Sequence, residues 1–128
     1  MISAVTRGIK VLVESFYQVD YSLPAKNEFM FAYRITIVNE SDKAVKLLRR
    51  HWYIMEGDSS TRQVEGEGVV GQQPILTPGE TYQYISGCGL KSEVGKMYGT
   101  YLFQRLQDGK LFYATIPEFK LISLEKLN

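Results

Sequence analysis

Apolar side chains recur with a period of two along almost the whole chain, which is the spacing of strands rather than helices. Ile9, Val11 and Val13 alternate with Lys10, Leu12 and Glu14, predicting a first strand that continues through Phe16 and Tyr17. Residues 21–27, with Pro24 inside them, read as a connection. In a second strand Phe29, Phe31, Tyr33, Ile35 and Ile37 share one face, and Met30, Ala32, Arg34, Thr36 and Val38 share the other. Residues 39–43 are polar turn material. A third strand over residues 45–55 sets Leu48, Arg50, Trp52 and Ile54 against Leu47, Arg49, His51, Tyr53 and Met55. Some of its apolar residues also fit a helical spacing, but Trp52, Tyr53 and Ile54 favour strand.

Residues 56–60 form a second turn, and residues 61–70 a weaker strand broken by glycine. Thr77-Pro78-Gly79 predicts another turn, since Pro presets a negative φ and Gly accepts a positive one. Residues 81–86 give a fifth strand, and the glycine-rich residues 87–95 a connection. Asp108-Gly109 is the dipeptide that suits a two-residue type I′ hairpin turn. Such a turn pairs Gln107 with Lys110. It places Tyr101, Phe103 and Arg105 on one face with Ile116, Ala114 and Phe112, continued by Met97 and Gly99 into the core. Pro117 then ends the ladder, and Phe119, Leu121 and Ile122 supply a last edge segment. Seven short strands predict an all-β protein: a two-sheet β-sandwich. With no linker, low-complexity tract or repeat, the chain reads as one domain over residues 1–128.

Composition narrows the function classes. Fifteen basic and 14 acidic residues leave a net charge of +1, too weak a field to gather nucleic acid or an anionic membrane. A single Cys and a single His exclude an intrachain disulfide and a zinc site built only from those residue types. The longest uncharged stretch, residues 68–79, is interrupted by Gly71, Pro74 and Pro78 and is too short to span a bilayer as a helix. The N-terminus carries no secretory pattern, so the expectation is a cytoplasmic protein with a free thiol.

Gly66-Glu67-Gly68-Val69-Val70-Gly71 fits G-x-G-x-x-G. A dinucleotide site needs that loop to open a helix whose N-terminal amides hold the pyrophosphate. Here Gln72-Gln73-Pro74 follows, which argues against a helix, and the companion motifs of a kinase glycine loop are missing. Glu65 and Glu67 would repel phosphate, and no Lys lies in the loop. Its glycines therefore read as a bulge or tight turn that can still be an exposed recognition loop. Arg49-Arg50-His51-Trp52 sets basic groups beside an aromatic, but alternation sends Arg49 and His51 to the face opposite Arg50 and Trp52, so all four cannot meet one ligand. The plainer reading puts Trp52 in the core and leaves Arg49 and His51, together with Arg62, as candidate surface. Cys88, between Gly87 and Gly89, has only Lys91 as a close basic neighbour and reads as a small structural residue. Glu65 and Glu67 share a strand face, but two carboxylates do not make a dedicated cation cage.

Taken together, Arg50-His51-Trp52-Tyr53-Ile54, the run from Val64 through Pro74 and Leu76-Thr77-Pro78-Gly79-Glu80 resemble the ApaG family. The resemblance continues in Tyr84-Ile85-Ser86-Gly87-Cys88-Gly89-Leu90, Gly95-Lys96-Met97-Tyr98-Gly99-Thr100-Tyr101 and Ile116-Pro117-Glu118-Phe119, covering most of the chain from Arg50 onward. It implies an immunoglobulin or fibronectin type III-like sandwich, in agreement with the strand count. It also implies a stand-alone bacterial protein associated with cobalt resistance and magnesium efflux. Similar domains are fused into eukaryotic F-box and DNA-polymerase-interacting proteins, which points to protein binding. The family's name reflects gene neighbourhood with a diadenosine tetraphosphate hydrolase and implies no hydrolase activity here.

Three functions are open at this point. The first is a non-enzymatic module binding a protein partner through loops and a sheet edge, without cofactor or catalytic residues, and with a homodimer through an edge strand as an option. The second is a nucleotide or polyphosphate binder using the loop from Gly66 to Gly71 with Arg62. The third is a direct divalent-metal binder using Glu65 and Glu67.

Overall fold

Two antiparallel sheets enclose one apolar interior in the computed structural model, which describes residues 1–57 and 60–123. Asp58 and Ser59, in the expected second turn, lie outside the described residues. The strands are β1 Ile2–Thr6, β2 Ile9–Tyr17, β3 Phe29–Asn39, β4 Val45–Glu56, β5 Thr61–Glu67, β6 Ile75–Leu76, β7 Thr81–Leu90, β8 Val94–Arg105 and β9 Leu111–Ile122. One sheet runs β1-β2-β3-β7. The other runs β5-β4-β8-β9, with β6 also paired to β4. The β2–β3 connection holds two short 3-10 turns, Val19–Tyr21 and Pro24–Lys26.

All seven expected strands are present, and β1 and β6 are additional. Strand β3 alternates buried and half-buried over its whole length, as its two-faced sequence requires. Trp52 lies between the sheets, with the rings of Tyr33, Phe119 and Tyr101 centred 5.4, 5.9 and 6.4 Å away.

Two bulges alter the expected alternation. In β4 the register against β8 shifts between Leu47 and Arg49, so Leu48 is an extra residue. An inserted residue flips every side chain beyond it. Val45 and Leu47 are therefore buried on one side of the bulge and Trp52 and Ile54 on the other, although Leu47 shares sequence parity with Arg49. The second bulge corrects the reading of Pro117. Strand β9 does not stop there; its register shifts between Met97 and Gly99 of β8, and Phe119 and Leu121 turn inward beyond Ala114 and Ile116. The strand is at a sheet edge, where a residue without an N–H costs no ladder bond.

The last hairpin is also built differently. The final ladder pair is Gln104 with Leu111, not Gln107 with Lys110. A longer turn over residues 106–109 is closed by the Arg105 N–H to the Lys110 carbonyl and the Gly109 N–H to the Arg105 carbonyl, both 2.8 Å. Asp108 stays out of the left-handed region that a type I′ turn demands. Its carboxylate instead accepts the Arg105 Nε at 3.0 Å and the Lys110 N–H at 3.2 Å. Tyr101 consequently faces Ala114 rather than Ile116. The slip is two residues, an even number, so Tyr101, Phe103, Ala114 and Ile116 still reach the core. The expected connection over residues 87–95 shrinks as well, because β7 continues to Leu90 and pairs Gly87 and Gly89 with Ala32 and Met30. Asn39, expected to begin a polar turn, is instead the last residue of β3 and is fully buried.

Candidate functional site

The β4 bulge positions the glycine loop. The carbonyl of Leu48 accepts the Gly68 N–H at 2.8 Å and the Gln73 Nε2 at 2.9 Å. Gly66 and Glu67 end β5, and Gly66 faces Arg50: a Cβ there would lie 3.1 Å from a guanidinium nitrogen. That guanidinium donates through Nη1 to the carbonyls of Glu67 and Gly68, each at 3.0 Å. Gly68 has φ +63, and a Cβ on it would come 2.1 Å from the Gln72 carbonyl oxygen. Val69 is fully buried and anchors the loop in the core. Its N–H and carbonyl exchange bonds with Gln72 at 2.8 and 2.9 Å, leaving Val70 and Gly71 as a two-residue turn. Their φ angles, +41 and +78, are the signature of type I′. The chain then extends into β6 with no helix. A phosphate cradle needs unspent amides pointing at the anion. The N–H groups of Gly68, Val69 and Gln72 are already donated to protein carbonyls. The loop is the tight turn its glycines permit.

Val70 is the exception to an otherwise economical design. A β-branched residue at positive φ is a genuine outlier, costing about 1–3 kcal/mol. Its side chain gains little burial in return, since Val70 is 56% exposed. Asn is the residue a type I′ turn prefers before Gly. Val70→Asn is therefore expected to stabilise the protein by about 1 kcal/mol, raising Tm by roughly 3–5 °C. Differential scanning calorimetry checks this.

The three candidate surface residues do not come together. Arg49 and His51 lie on the outer face of β4, opposite Arg50 and Trp52, as alternation requires. The ring of His51 stacks on Tyr53 at 4.6 Å, and Tyr53 stacks on Tyr98 at 5.1 Å. His51 Nε2 meets Gln63 Oε1 at 2.8 Å, and Nδ1 lies 3.4 Å from Glu65. Arg62 points the other way, paired with Ile54 in the ladder, and reaches across the open side of the sandwich. It binds Glu56 at 3.0 Å and donates to the Gly89 carbonyl at 2.7 Å and to Cys88 Sγ at 3.6 Å. Arg62 thus clamps β5 to β7 and is not part of the glycine loop. Glu65 is engaged by His51, and among the described residues no three His, Cys, Asp or Glu side chains are grouped to hold a metal ion.

A cavity of about 260 Å³ opens beside this clamp, lined in part by Tyr33, Arg50, Trp52, Arg62 and Cys88. Burial pushes the Cys88 thiol up, an effect that outweighs the nearby Arg62. A thiol so placed is poorly ionised and a weak nucleophile. Burial also raises Tyr84 and Tyr101, whose hydroxyls bond to each other in the core. Sequence reasoning missed the role of Arg50 as the pin of the loop, although its placement on the Trp52 face was the signal for it.

A family model described as the ApaG domain matches residues 19–105, a span that holds the bulge, the glycine loop and the Arg62 clamp. The chain belongs to the ApaG family. Among ApaG relatives, Protein ApaG of Brucella canis is 47% identical over 121 residues, covering 94% of this chain and 92% of its own. Protein ApaG of Paramagnetospirillum magneticum is 46% identical over 123 residues, covering 96% and 94%. The crystal structure of the putative ApaA protein from Bordetella pertussis superposes with a TM-score of 0.88 at 39% identity, over 91% of this chain and 94% of that one. An X-ray structure of a structural-genomics target gives 0.88 at 37% identity, over 98% and 94%. The two-sheet sandwich is thus shared with solved relatives. Among the described residues of this ApaG-family chain, no helix is long and apolar enough to cross a membrane.

Proposed function

We propose that this ApaG-family chain is a non-enzymatic protein-interaction module that presents the loop from Gly66 to Gly71 to a partner. One observation carries the reading: an exposed valine is held at positive φ on the tip of a loop anchored by Val69, Arg50 and the Leu48 bulge. Strain kept at an exposed apolar tip is best explained by what the tip touches. A rigid mount lowers the ordering cost of binding, and a protruding aliphatic group suits a pocket on another protein. The chemistry of the remaining candidates supports a non-catalytic role. The His51 ring is stacked, bonded to Gln63 and set against Glu65, and the Cys88 thiol is held in its unreactive form. In this reading the family's association with cobalt and magnesium handling runs through the partner protein.

The test compares wild type with Val70→Asn in affinity capture from the native lysate followed by mass spectrometry. A specific partner held by wild type and lost by the more stable variant supports the reading, because instability cannot explain that loss. Identical partner profiles, or no partner for either protein, overturn it.

A further inference from the structure

Three turns converge at one end of the sandwich: Arg7-Gly8 between β1 and β2, residues 40–44 between β3 and β4, and residues 106–110 between β8 and β9. They enclose a cavity of about 420 Å³ whose wall includes Arg7, Ser41, Lys43, Arg105, Lys110 and Phe112. We propose that this cavity binds a small multivalent oxyanion of the phosphate class.

The first argument is charge. Arg105 is committed to Asp108. Arg7, Lys43 and Lys110 have no carboxylate within ion-pair distance among the described residues, and Asp42 is the only acidic residue in the wall. Arg7, Lys43, Arg105 and Lys110 against the carboxylates of Asp42 and Asp108 therefore leave an excess of two positive charges around a single concavity, in a chain whose whole net charge is +1. Such a local excess raises the concentration of an anion far more than the global charge can. Cations on three separate turns suit a ligand that spreads several charges over several oxygens, as phosphates do and a single carboxylate does not.

The second argument is construction. The Gly8 carbonyl accepts the Glu40 N–H at 2.7 Å, and a Cβ at Gly8 would lie 2.8 Å from the Ser41 Cβ, so these two turns are interlocked. The Leu106 N–H bonds to the Ala44 carbonyl at 3.0 Å and ties in the third. Arg7 occupies φ +49, and its guanidinium is held 6.0 Å over the ring of Phe112, which itself stacks on the buried Phe103. The hollow is of the size and preformed character typical of small-ligand sites. It is separate from the glycine loop, and the inference does not rest on the protein-interaction reading.

The test is calorimetric titration of the full chain at low ionic strength with inorganic pyrophosphate and, separately, with ADP. Saturable 1:1 binding is expected, weakened at least about tenfold in a Lys43→Gln, Lys110→Gln double variant and strengthened about threefold in Asp42→Asn. Thermal melts should show that all variants remain folded. Equal affinity for the two ligands assigns recognition to free phosphate groups alone. Tighter ADP binding assigns it to a phosphate ester whose ring meets Phe112; both support the site. No saturable heat with either ligand overturns it, and so does binding that the double variant and Asp42→Asn leave unchanged.

Discussion

Gly99→Ala should cost about 4 kcal/mol of stability, at the extreme of what single substitutions do. Gly99 sits in the middle of β8, between Trp52 of β4 and Ile116 of β9. An added Cβ would lie 2.0 Å from the His51 carbonyl oxygen, 3.1 Å from the His51 carbonyl carbon and 3.2 Å from the Trp52 Cα. All three are backbone atoms of the neighbouring strand, so no rotamer change can relieve the contact. Strand β4 must move away, and it carries Trp52 on its inner face and the Leu48 bulge that holds the glycine loop. Backbone conformation is not the cause, because Gly99 is not among the residues at positive φ. Gly87→Ala supplies the control: its nearest neighbour would be 3.5 Å away, an ordinary contact, and the expected change is under about 1 kcal/mol. Urea denaturation of both variants tests the pair. If Gly99→Ala kept its midpoint within reach of the control, the close approach of β8 to β4 would be wrong.

What could be read from the sequence, and what could not, follows from the range of each interaction. Side-chain alternation depends on nearest neighbours along the chain, so β2, β3 and the inward faces of β8 and β9 were legible. Bulges depend on the partner strand. Nothing in Leu47-Leu48-Arg49 announces that Leu48 is extra, and a strictly alternating reading therefore misplaces Leu47. The hairpin turns make the same point. Asp108-Gly109, the sequence best suited to type I′, does not adopt it because the Asp108 side chain is occupied by Arg105 and Lys110. Arg7-Gly8 and Val70-Gly71 carry positive φ at both positions without the usual Asn or Asp. Only the glycine was visible there; the residue before it is set by what the turn presents. The candidate site divides similarly. Alternation correctly separated Arg49 and His51 from Arg50 and Trp52, while the reach of Arg62 to Gly89 joins residues from different sheets and has no local signature. Asn39 resembled turn material because Asn is common in turns, yet its burial comes from the neighbouring β6–β7 turn.

Asn39→Leu should cost about 3–4 kcal/mol for the opposite reason: it removes bonds rather than adding an atom. The Asn39 amide is saturated. Its Nδ2 donates to the carbonyls of Lys43 and Leu76 at 2.8 and 2.9 Å, and its Oδ1 accepts the Ser41 N–H at 3.0 Å and the Ser41 hydroxyl at 2.6 Å. The backbone of Asn39 adds two bonds to the next turn, from its N–H to the Glu80 carbonyl and from the Gly79 N–H to its own carbonyl. One fully buried residue thus fixes the β3–β4 turn and the entry to β7 together. Leu keeps the number and branching of the side-chain heavy atoms, but its methyl groups are bulkier than the amide atoms, so some overpacking adds to the loss of the polar network. Each buried group left unpaired costs about 1–3 kcal/mol, but Ser41 and Lys43 are half-buried and can recover water, which brings the sum down to the stated value. The loss should be uneven in space. Hydrogen exchange is expected to quicken most at Ser41 and in residues 77–80, and least in the Gly68–Gln72 turn, which Leu48 and Arg50 hold independently. A uniform rise in exchange across both regions would mean that Asn39 supports the whole sandwich rather than this end of it.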